Sequence, residues 1–186
     1  MSEELGKELW YNSHMETLDL VFRPIDLDQH RELFLAFIRD THLCSFGSMD
    51  SFADDIHGEE LLIERIRKRL TDEPQSCLHI WKNEQIVGQL HLGHLVDPDF
   101  VDSNVGYINL LYVIPEWRGS GIASLIKDYA SAFLQRQGFK SARLSVTAQN
   151  HRAIRFYLKK GWKDLGPRAD RPFVHNMEKV FGLLPV

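Results

Sequence analysis

The sequence predicts a single α/β (α+β) domain, in which helices alternate with the strands of one sheet. Two neighbouring segments carry most of this prediction. Val105–Ile114, "VGYINLLYVI", is mostly apolar, as in a central strand that is covered on both faces. The segment Gly121–Gly138 then places apolar residues at the i, i+3, i+4 spacing of an amphipathic helix. The 186 residues contain no repeat or low-complexity linker, so we expect one domain over residues 1–186.

The first part of the chain predicts one strand and two helices. Alternating residues before a proline predict a strand in Leu18–Asp26. A helix capped by Asp28 follows, and it ends before Gly47. A second helix is predicted over residues 52–70 and is closed by Pro74. The apolar stripe of this second helix contains Leu62, Ile63, Ile66 and Leu70.

A hairpin precedes the central strand. Cys77–Leu95 has the pattern of two strands that meet at the polar turn Lys82–Gln85. Pro115 ends the central strand, because proline cannot donate to a strand ladder. The long helix that comes next is followed by Gly138, a typical residue after a helix end.

The last part of the chain predicts strand, helix and strand. "SARLSVT", residues 141–147, has the alternation of a strand. A short helix begins after Asn150 and stops at Gly161. The final strand is expected near residues 173–181, "FVHNMEKVF".

Composition limits the classes of partner and the compartment. The formal net charge of -4 gives no general basic field, so we do not expect a nucleic-acid partner. Cys44 and Cys77 form no CxxC pair, which favours free thiols in a reducing compartment. The amino terminus lacks the apolar region of a signal peptide, and no apolar stretch approaches ~18 residues. We therefore expect a cytoplasmic protein without a membrane segment, and the sequence leaves open whether it forms a homodimer.

The turn before the long helix, "EWRGSGIAS", has the composition of an anion site. A helix start offers unpaired N–H groups at the positive end of the helix dipole. Gly119 and Gly121 would let the backbone approach a phosphate, and Arg118 adds a guanidinium. A tight strand-to-helix turn with a solvated arginine fits the same spacing.

Two known phosphate motifs do not fit this turn. A dinucleotide fingerprint needs an acidic residue at the end of the next strand, and Arg143–Thr147 contains none. A P-loop needs Gly-Lys-Ser/Thr, whereas Gly121 is followed by Ile122. The anion would therefore have to be held in some other arrangement.

Two stretches resemble the signatures of the GNAT superfamily of N-acetyltransferases. "LLYVIPEWRGSGIASLI" resembles the acetyl-CoA motif Q/R-x-x-G-x-G/A, with Arg118, Gly121 and Ala123 at its fixed positions. "VTAQNHRAIRFYLKKGW" is similar to the second signature, in which an Asn starts a helix and a Tyr and a Gly-aromatic pair follow. The two motifs stand in the family's order, and the resemblance covers at least Cys77–Val180.

The resemblance implies a fold and a cofactor. The fold would be a mixed, mostly antiparallel sheet of about six to seven strands, flanked by about four helices. Its fourth and fifth strands would part, and the pantetheine arm of acetyl-CoA would lie between them. The residues that would pair with pantetheine amides are Leu111, Tyr112 and Val113. The residues that would hold the pyrophosphate are Arg118, Gly119, Ser120, Gly121, Ile122, Ala123 and Ser124.

Acetyl transfer needs an uncharged amine, a stabilised oxyanion and a proton for the departing sulfur. By resemblance, Tyr157 is the candidate catalytic acid, and backbone N–H groups near Leu111 are candidates for the oxyanion. Without the motif, Tyr157 would be interpreted as a core residue stacked on Ala153. Asn150 is both a good helix N-cap and a candidate cofactor contact, and one side chain serves both roles poorly.

A general base is harder to assign. The fifth strand offers Ser145 and Thr147 but no carboxylate, and the fourth strand has Tyr107 and Asn109 where relatives carry an acid. A water relay is therefore the expected route for the amine proton. The histidines of the hairpin, His79, His91 and His94, are each expected at the surface or half-buried. His91 and His94 face opposite sides of a strand, so no metal site is predicted.

Three charged segments have simple structural interpretations. Asp54 and Asp55 suit the first turn of a helix, although the family often places the acceptor nearby. "RIRKRL", residues 65–70, is expected to be a solvated helix face. "PRADRP", Pro167–Pro172, is expected to be a loop that borders the acceptor site.

Two functions follow from these patterns. The first is an acetyl-CoA-dependent N-acetyltransferase that acetylates a primary amine of a small molecule or peptide by direct attack in a ternary complex. The second is a non-catalytic module that binds coenzyme A or another phosphate ligand and regulates something else. Tyr157 favours the first, and the absence of a carboxylate on the central strands leaves room for the second.

Overall fold

The computed structural model describes residues 19–94 and 104–182. The amino-terminal segment, on which the signal-peptide expectation rests, lies outside these ranges, as do Leu18 and Leu95 at the ends of two predicted elements. Among the described residues, no helix is both long and apolar enough to cross a membrane.

Within these two ranges, seven strands form one sheet in the order β1-β2-β3-β4-β5-β7-β6. Only β4 and β5 pair in parallel, and every other pair is antiparallel. The predicted mixed, mostly antiparallel sheet is therefore confirmed. The strands are β1 Leu20–Pro24, β2 Cys77–Lys82, β3 Gln85–His94, β4 Val105–Val113, β5 Ser141–Thr147, β6 Lys163–Pro167 and β7 Val174–Val180.

Five helices accompany the sheet in the described part of the chain. They are α1 Leu27–Phe46, α2 Phe52–Ile56, α3 Glu59–Asp72, α4 Ile122–Arg136 and α5 His151–Lys159. Two short 3-10 turns, Pro74–Ser76 and Pro115–Trp117, lead into β2 and follow β4. The sequence predicted about four helices, and the additional one arises because the second predicted helix is divided.

Three details of the prediction need correction. The second predicted helix breaks at His57 and Gly58, which take positive φ angles of 58° and 85°. The cap of α1 is Asp26, not Asp28, because the Asp26 carboxylate accepts the N–H groups of Asp28 and Gln29, each at 3.0 Å. Strand β6 was not predicted, because its sequence, "KDLGP", has no apolar alternation and is mostly exposed at the sheet edge.

The core lies on both faces of the sheet. On one face Phe34 of α1 is fully buried and stacks on His91, with ring centroids 5.6 Å apart. On the other face α4 packs so closely that a Cβ on Gly106 would lie 2.6 Å from the Leu134 side chain. The sheet is therefore held between α1 and α4, and α4 must start at a fixed place relative to β4.

The sheet opens between β4 and β5. Their parallel pairing is confined to Val105–Tyr107 against Ser141–Arg143. Beyond these residues neither strand pairs with the other, so the two strands part, as the family resemblance implied. This opening lies beside the start of α4 and thus beside the glycine turn.

Candidate functional site

A groove of about 570 Å³ enters the opening between β4 and β5. Its walls come from the two strands, the carboxyl end of α1, the start of α4 and one face of α5. Ten of the predicted site residues line it: Leu111, Tyr112, Val113, Arg118, Gly119, Gly121, Ala123, Ser124, Asn150 and Tyr157. Ser120 and Ile122 stand between these residues in sequence but are not part of the lining.

The glycine turn exposes its backbone to the groove. Gly119 and Gly121 take φ angles of 90° and 95°, which favour glycine over every other residue. Apart from the chain neighbours, no heavy atom of the described residues would lie within 4 Å of a Cβ at either position, so these residues leave the space in front of the turn open. Glycine at these two positions therefore allows the positive φ angles and leaves the backbone N–H groups accessible from the groove.

Several N–H groups of this turn have no acceptor in the described part of the chain. They belong to Gly119, Gly121, Ile122 and Ala123. The next amide, that of Ser124, already donates to the Gly121 carbonyl at 2.9 Å. The Ser124 hydroxyl is buried and has no hydrogen-bond partner among the described residues, while the exposed Ser120 hydroxyl donates to Trp117 O. The turn therefore presents free donors at the positive end of a 15-residue helix.

Within the described residues, the guanidinium of Arg118 is bound by the protein. Its Nε donates to the carbonyl of Val113 at 2.9 Å, and its Nη2 donates to Asp40 Oδ2 at 2.7 Å. Its Cζ lies 5.5 Å from the ring centre of Tyr112. Only Nη1 donates to no described group, so this side chain mainly fixes the structure that precedes the turn.

The end of β4 directs backbone groups into the opening. The N–H of Ile114 donates to Val87 of β3 at 3.0 Å, so the Val113 carbonyl, across the same trans peptide, points toward the β5 side. Strand residues two apart repeat this direction, so the N–H and C=O of Leu111 point into the opening too. The Val113 carbonyl accepts a hydrogen bond from Arg118 Nε. On the β5 side of Leu111, no strand of the described residues pairs with it.

Asn109 forms a bulge in β4. The register of β4 against β3 shifts between the pairs Leu110↔His91 and Ile108↔Leu92, so Asn109 has no partner on β3. Its exposed side chain lines the groove. The bulge places a neutral amide, not an acid, next to the parting strands.

Tyr157 reaches the groove from α5. The residue is 8% exposed, and its ring packs against Phe156 and Trp162. Its hydroxyl has no hydrogen-bond partner among the described residues. Burial raises the pKa of Tyr157 above its usual value. The phenol therefore stays protonated and has a free O–H to donate.

Asn150 caps α5. Its side-chain oxygen accepts a hydrogen bond from the N–H of Ala153 at 3.1 Å, which confirms the capping interpretation. The residue also lines the groove. The amide nitrogen remains for a second contact, so a role toward the cofactor stays a prediction.

Sequence reasoning missed the basic side of the groove. Arg152, Lys159 and Lys160 line it, although the protein carries a formal net charge of -4. Arg152 and Lys159 are seven residues apart, a spacing that places both on one face of α5. This spacing is the signal in the sequence that indicates the local positive charge.

No Asp or Glu is among the described residues that line the groove. Ser145 instead accepts a hydrogen bond from Tyr107 at 2.6 Å and donates to Asn176 at 3.0 Å. Thr147 donates to the backbone carbonyl of Ser45 at 2.5 Å. The expectation of a site without a direct carboxylate base agrees with this lining.

Two histidines of the hairpin, His79 and His91, were wrongly expected at the surface or half-buried. His79 is 1% exposed and His91 is 4% exposed, and the buried amide of Gln89 lies between their rings. The Gln89 oxygen is 3.0 Å from His79 Nε2, and its nitrogen is 3.1 Å from His91 Nε2. Burial lowers the pKa of His79 to about 4 and that of His91 to about 3. The side chain of His94 lies outside the described residues.

The loop between β6 and β7 lies where the sequence predicted a loop, and it is tied to other elements. Arg171 donates to Asp55 of α2 at 2.9 Å. Arg168 donates to the Ser145 hydroxyl at 3.3 Å, next to the groove. Asp54 and Asp55 lie in the first turn of α2, as expected. A contact between this loop and an acceptor remains a prediction.

The segment "RIRKRL" in α3 is largely the solvated face that was expected. Arg67 pairs with Asp28 at 3.1 Å, and both side chains are more than half exposed. Arg69 is different, because it is partly buried and donates to the Leu92 carbonyl at 3.1 Å. Among the described residues, no group of three or more His, Cys, Asp or Glu could hold a metal ion.

Comparison with known proteins gives a consistent result. A family model described as the acetyltransferase (GNAT) family matches residues 35–162. An uncharacterized N-acetyltransferase of Mycobacterium tuberculosis is 30% identical over 112 residues, which cover 60% of this chain and 68% of that protein. Another, from Archaeoglobus fulgidus, is 40% identical over 58 residues, or 31% of this chain and 40% of the relative.

Solved structures share the fold. The PaiA N-acetyltransferase of Thermoplasma acidophilum, in complex with coenzyme A, superposes with a TM-score of 0.67 at 18% identity, covering 87% of this chain and 99% of that one. The ribosomal-protein-alanine N-acetyltransferase of Brucella melitensis gives a TM-score of 0.64 at 16% identity, with 87% and 99% coverage. At these identities the likeness concerns the fold alone.

Proposed function

The chain belongs to the GNAT acetyltransferase family, and we propose that it transfers an acetyl group from acetyl-CoA to a primary amine of a small molecule or peptide. The reaction is direct attack in a ternary complex. The observation that carries the proposal is the set of unpaired amides at Gly119, Gly121, Ile122 and Ala123, which open onto the groove. They form a diphosphate site at a helix start.

The roles within this site differ from residue to residue. Gly119, Gly121, Ile122 and Ala123 bind the diphosphate through backbone N–H groups, and Ser124 adds its unpaired hydroxyl. Arg118 fixes the entrance of the turn and keeps Nη1 for a phosphate oxygen. Ser120 is exposed and holds the turn through its bond to Trp117.

The pantetheine arm lies between β4 and β5. Leu111 offers its carbonyl to it, while Val113 offers its N–H, because the Val113 carbonyl is bound to Arg118. Tyr112 lies behind them, with its hydroxyl on Asp40. On the far side Arg152, Lys159 and Lys160 match the remaining phosphate of coenzyme A. The coenzyme A bound to the PaiA N-acetyltransferase supports a ligand of this class.

The chemistry uses the groups that meet at the opening. The amine nitrogen attacks the thioester carbonyl, and the Leu111 N–H stabilises the oxyanion that forms. The C–S bond then breaks, and Tyr157 donates its hydrogen bond to the departing thiolate, whose proton comes finally from solvent. Water beside Asn109 and Ser145 takes the proton that the amine loses. The raised pKa of Tyr157 makes it a hydrogen-bond donor more than a full proton donor.

The proposal extends to domain organisation, cellular compartment and partners. We place one domain over residues 1–186, because most of the buried apolar residues of the described ranges form one connected core. A reducing compartment, the cytoplasm, suits the free thiols of Cys44 and Cys77. Acetyl-CoA and an amine are the partners, without nucleic acid, membrane or metal, and a homodimer is compatible with this setting.

A thiol-release assay tests the function. The protein is incubated with acetyl-CoA and a panel of amines, and free thiol is followed over time. Amine-dependent thiol release is the expected result. Binding of coenzyme A by calorimetry without turnover on a broad panel would instead identify a non-catalytic binding module. Failure to bind coenzyme A at all would contradict the transferase and leave only a module for another phosphate ligand.

A further inference from the structure

Asp40 belongs to none of the sequence motifs, yet it contacts two groove residues. Its Oδ2 accepts a hydrogen bond from the Tyr112 hydroxyl at 2.7 Å and another from Arg118 Nη2 at 2.7 Å. These partners follow Asp40 by 72 and 78 residues in the chain. One carboxylate oxygen of α1 therefore joins the end of β4 to the residue that precedes the glycine turn.

The contact continues to the wall of the opening. Arg118 spans from Asp40 to the Val113 carbonyl, which it binds through Nε at 2.9 Å. Its guanidinium also lies over the Tyr112 ring, so the cation is held on three sides. The next residue, Gly119, begins the turn with the unpaired amides. A displacement of Arg118 would thus displace the first donor of the diphosphate site.

The same carboxylate also fixes α1. Thr41, Cys44 and Ser45 lie within the next two helical turns and line the groove opposite α4. Burial alone would raise the pKa of Asp40, but the hydrogen bonds from Tyr112 and Arg118 outweigh it and lower the pKa. The carboxylate is therefore ionised at neutral pH and pairs with the guanidinium as a charged group.

We propose that Asp40 is a positioning residue of the coenzyme A site, which acts through Arg118 to set the glycine turn and the facing wall of α1. This inference rests on the proposed function. Asp40 need not touch the cofactor. Its removal is expected to affect the diphosphate more than the pantetheine, because Arg118 precedes the turn directly.

The test compares two ligands on the full chain. Asp40→Ala is expected to weaken coenzyme A binding about tenfold, because it removes the charged hydrogen-bond acceptor that holds Arg118. Calorimetry measures coenzyme A, and ligand-observed NMR measures pantetheine, which lacks the diphosphate. Pantetheine affinity is expected to fall much less, whereas a general loosening of the fold would weaken both ligands equally. Glu32→Gln, an exposed carboxylate on the same helix, is the matched control and should change neither affinity.

Asp40→Asn keeps the size and shape of the side chain. This variant tests the proposed role of Asp40 if Asp40→Ala does not fold. It retains an acceptor for Tyr112 but loses the charge that holds Arg118, so coenzyme A binding should again weaken more than pantetheine binding. Unchanged coenzyme A affinity in a folded Asp40 variant, or an equal loss for both ligands, would overturn the inference. If the unmodified protein does not bind coenzyme A, the proposed function fails instead.

Discussion

The side-chain oxygen of Asn150 accepts a hydrogen bond from the backbone N–H of Ala153 at 3.1 Å, at the first turn of α5. The same asparagine lines the groove, so one side chain would connect helix stability with the ligand binding that we propose. These two contributions can be separated, because aspartate caps a helix as well as asparagine does.

Asn150→Ala is expected to lower the free energy of unfolding by about 1 kcal/mol, since the cap is lost. Asn150→Asp should keep the stability, measured by urea unfolding, while it weakens coenzyme A binding through repulsion of the phosphates. Asn150→Ser, a neutral cap, serves as the control for charge. Coenzyme A affinity equal to that of the unmodified protein in both the Asp and the Ser variants would show that Asn150 serves only the helix.

Gly121 allows a direct test of the diphosphate site. Gly121→Gln and Gly121→Glu carry the same backbone strain at a φ of 95° and differ only in charge. Both should lose about 1–2 kcal/mol of stability. The Glu variant should bind coenzyme A at least about tenfold more weakly than the Gln variant, because its charge faces the phosphates. Calorimetry that gives equal dissociation constants for the pair would contradict the assignment of the turn.

Tyr157→Phe removes a hydroxyl that has no partner among the described residues, so the fold should be unaffected. The expected result is a fall in kcat of about a hundredfold with coenzyme A affinity unchanged. Thiol release on an identified amine measures kcat. Tyr129→Phe is the control, because Tyr129 donates to Gln75 on another part of the surface. An unmodified kcat in Tyr157→Phe would exclude this residue from the chemistry.

The buried histidines predict that acid destabilises the protein. The folded-state pKa values of His79 and His91, about 4 and about 3, lie below the ordinary value of 6.5. The unfolded chain therefore binds more protons below pH 6.5, and stability falls as the pH drops from 6.5 toward 4. Each histidine contributes about 1.4 kcal/mol per pH unit in this window.

Urea unfolding between pH 7 and pH 4 measures this dependence. His91→Gln should make the slope shallower by about one proton, because one buried imidazole is gone. His151→Gln, at an exposed position, should leave the slope unchanged. A His91→Gln slope equal to that of the unmodified protein would contradict the prediction.

Local patterns in the sequence predicted the elements that build the site. The boundaries of β5, at Ser141–Thr147, and the start of α5 after Asn150 agree with the structure. These boundaries depend on neighbouring residues only. Alternation of apolar and polar residues predicts β5, and the Asn150 cap predicts the start of α5. The glycine turn could be predicted for the same reason. Gly119 and Gly121 adopt positive φ angles, which glycine permits without help from distant residues.

Contacts between distant parts of the chain could not be predicted in this way. His79 and His91 are buried where Gln89 contacts one ring nitrogen of each and Phe34 covers His91, which no single segment reveals. Asp40 is an ordinary charged residue of α1 until the fold brings Arg118 to it. Its importance depends on tertiary packing, which propensity and motifs do not encode.

The short parallel pairing of β4 and β5 has a consequence for how the protein handles its ligand. Three residue pairs, from Val105↔Ser141 to Tyr107↔Arg143, are the whole strand pairing between two half-sheets in the described part of the chain. A pantetheine arm in the opening would act as an inserted strand that completes the pairing. The bound arm would then join the two half-sheets, and the opening between β4 and β5 could widen when the arm leaves. Amide exchange at Leu111 should therefore be faster after the product has left than while coenzyme A is bound.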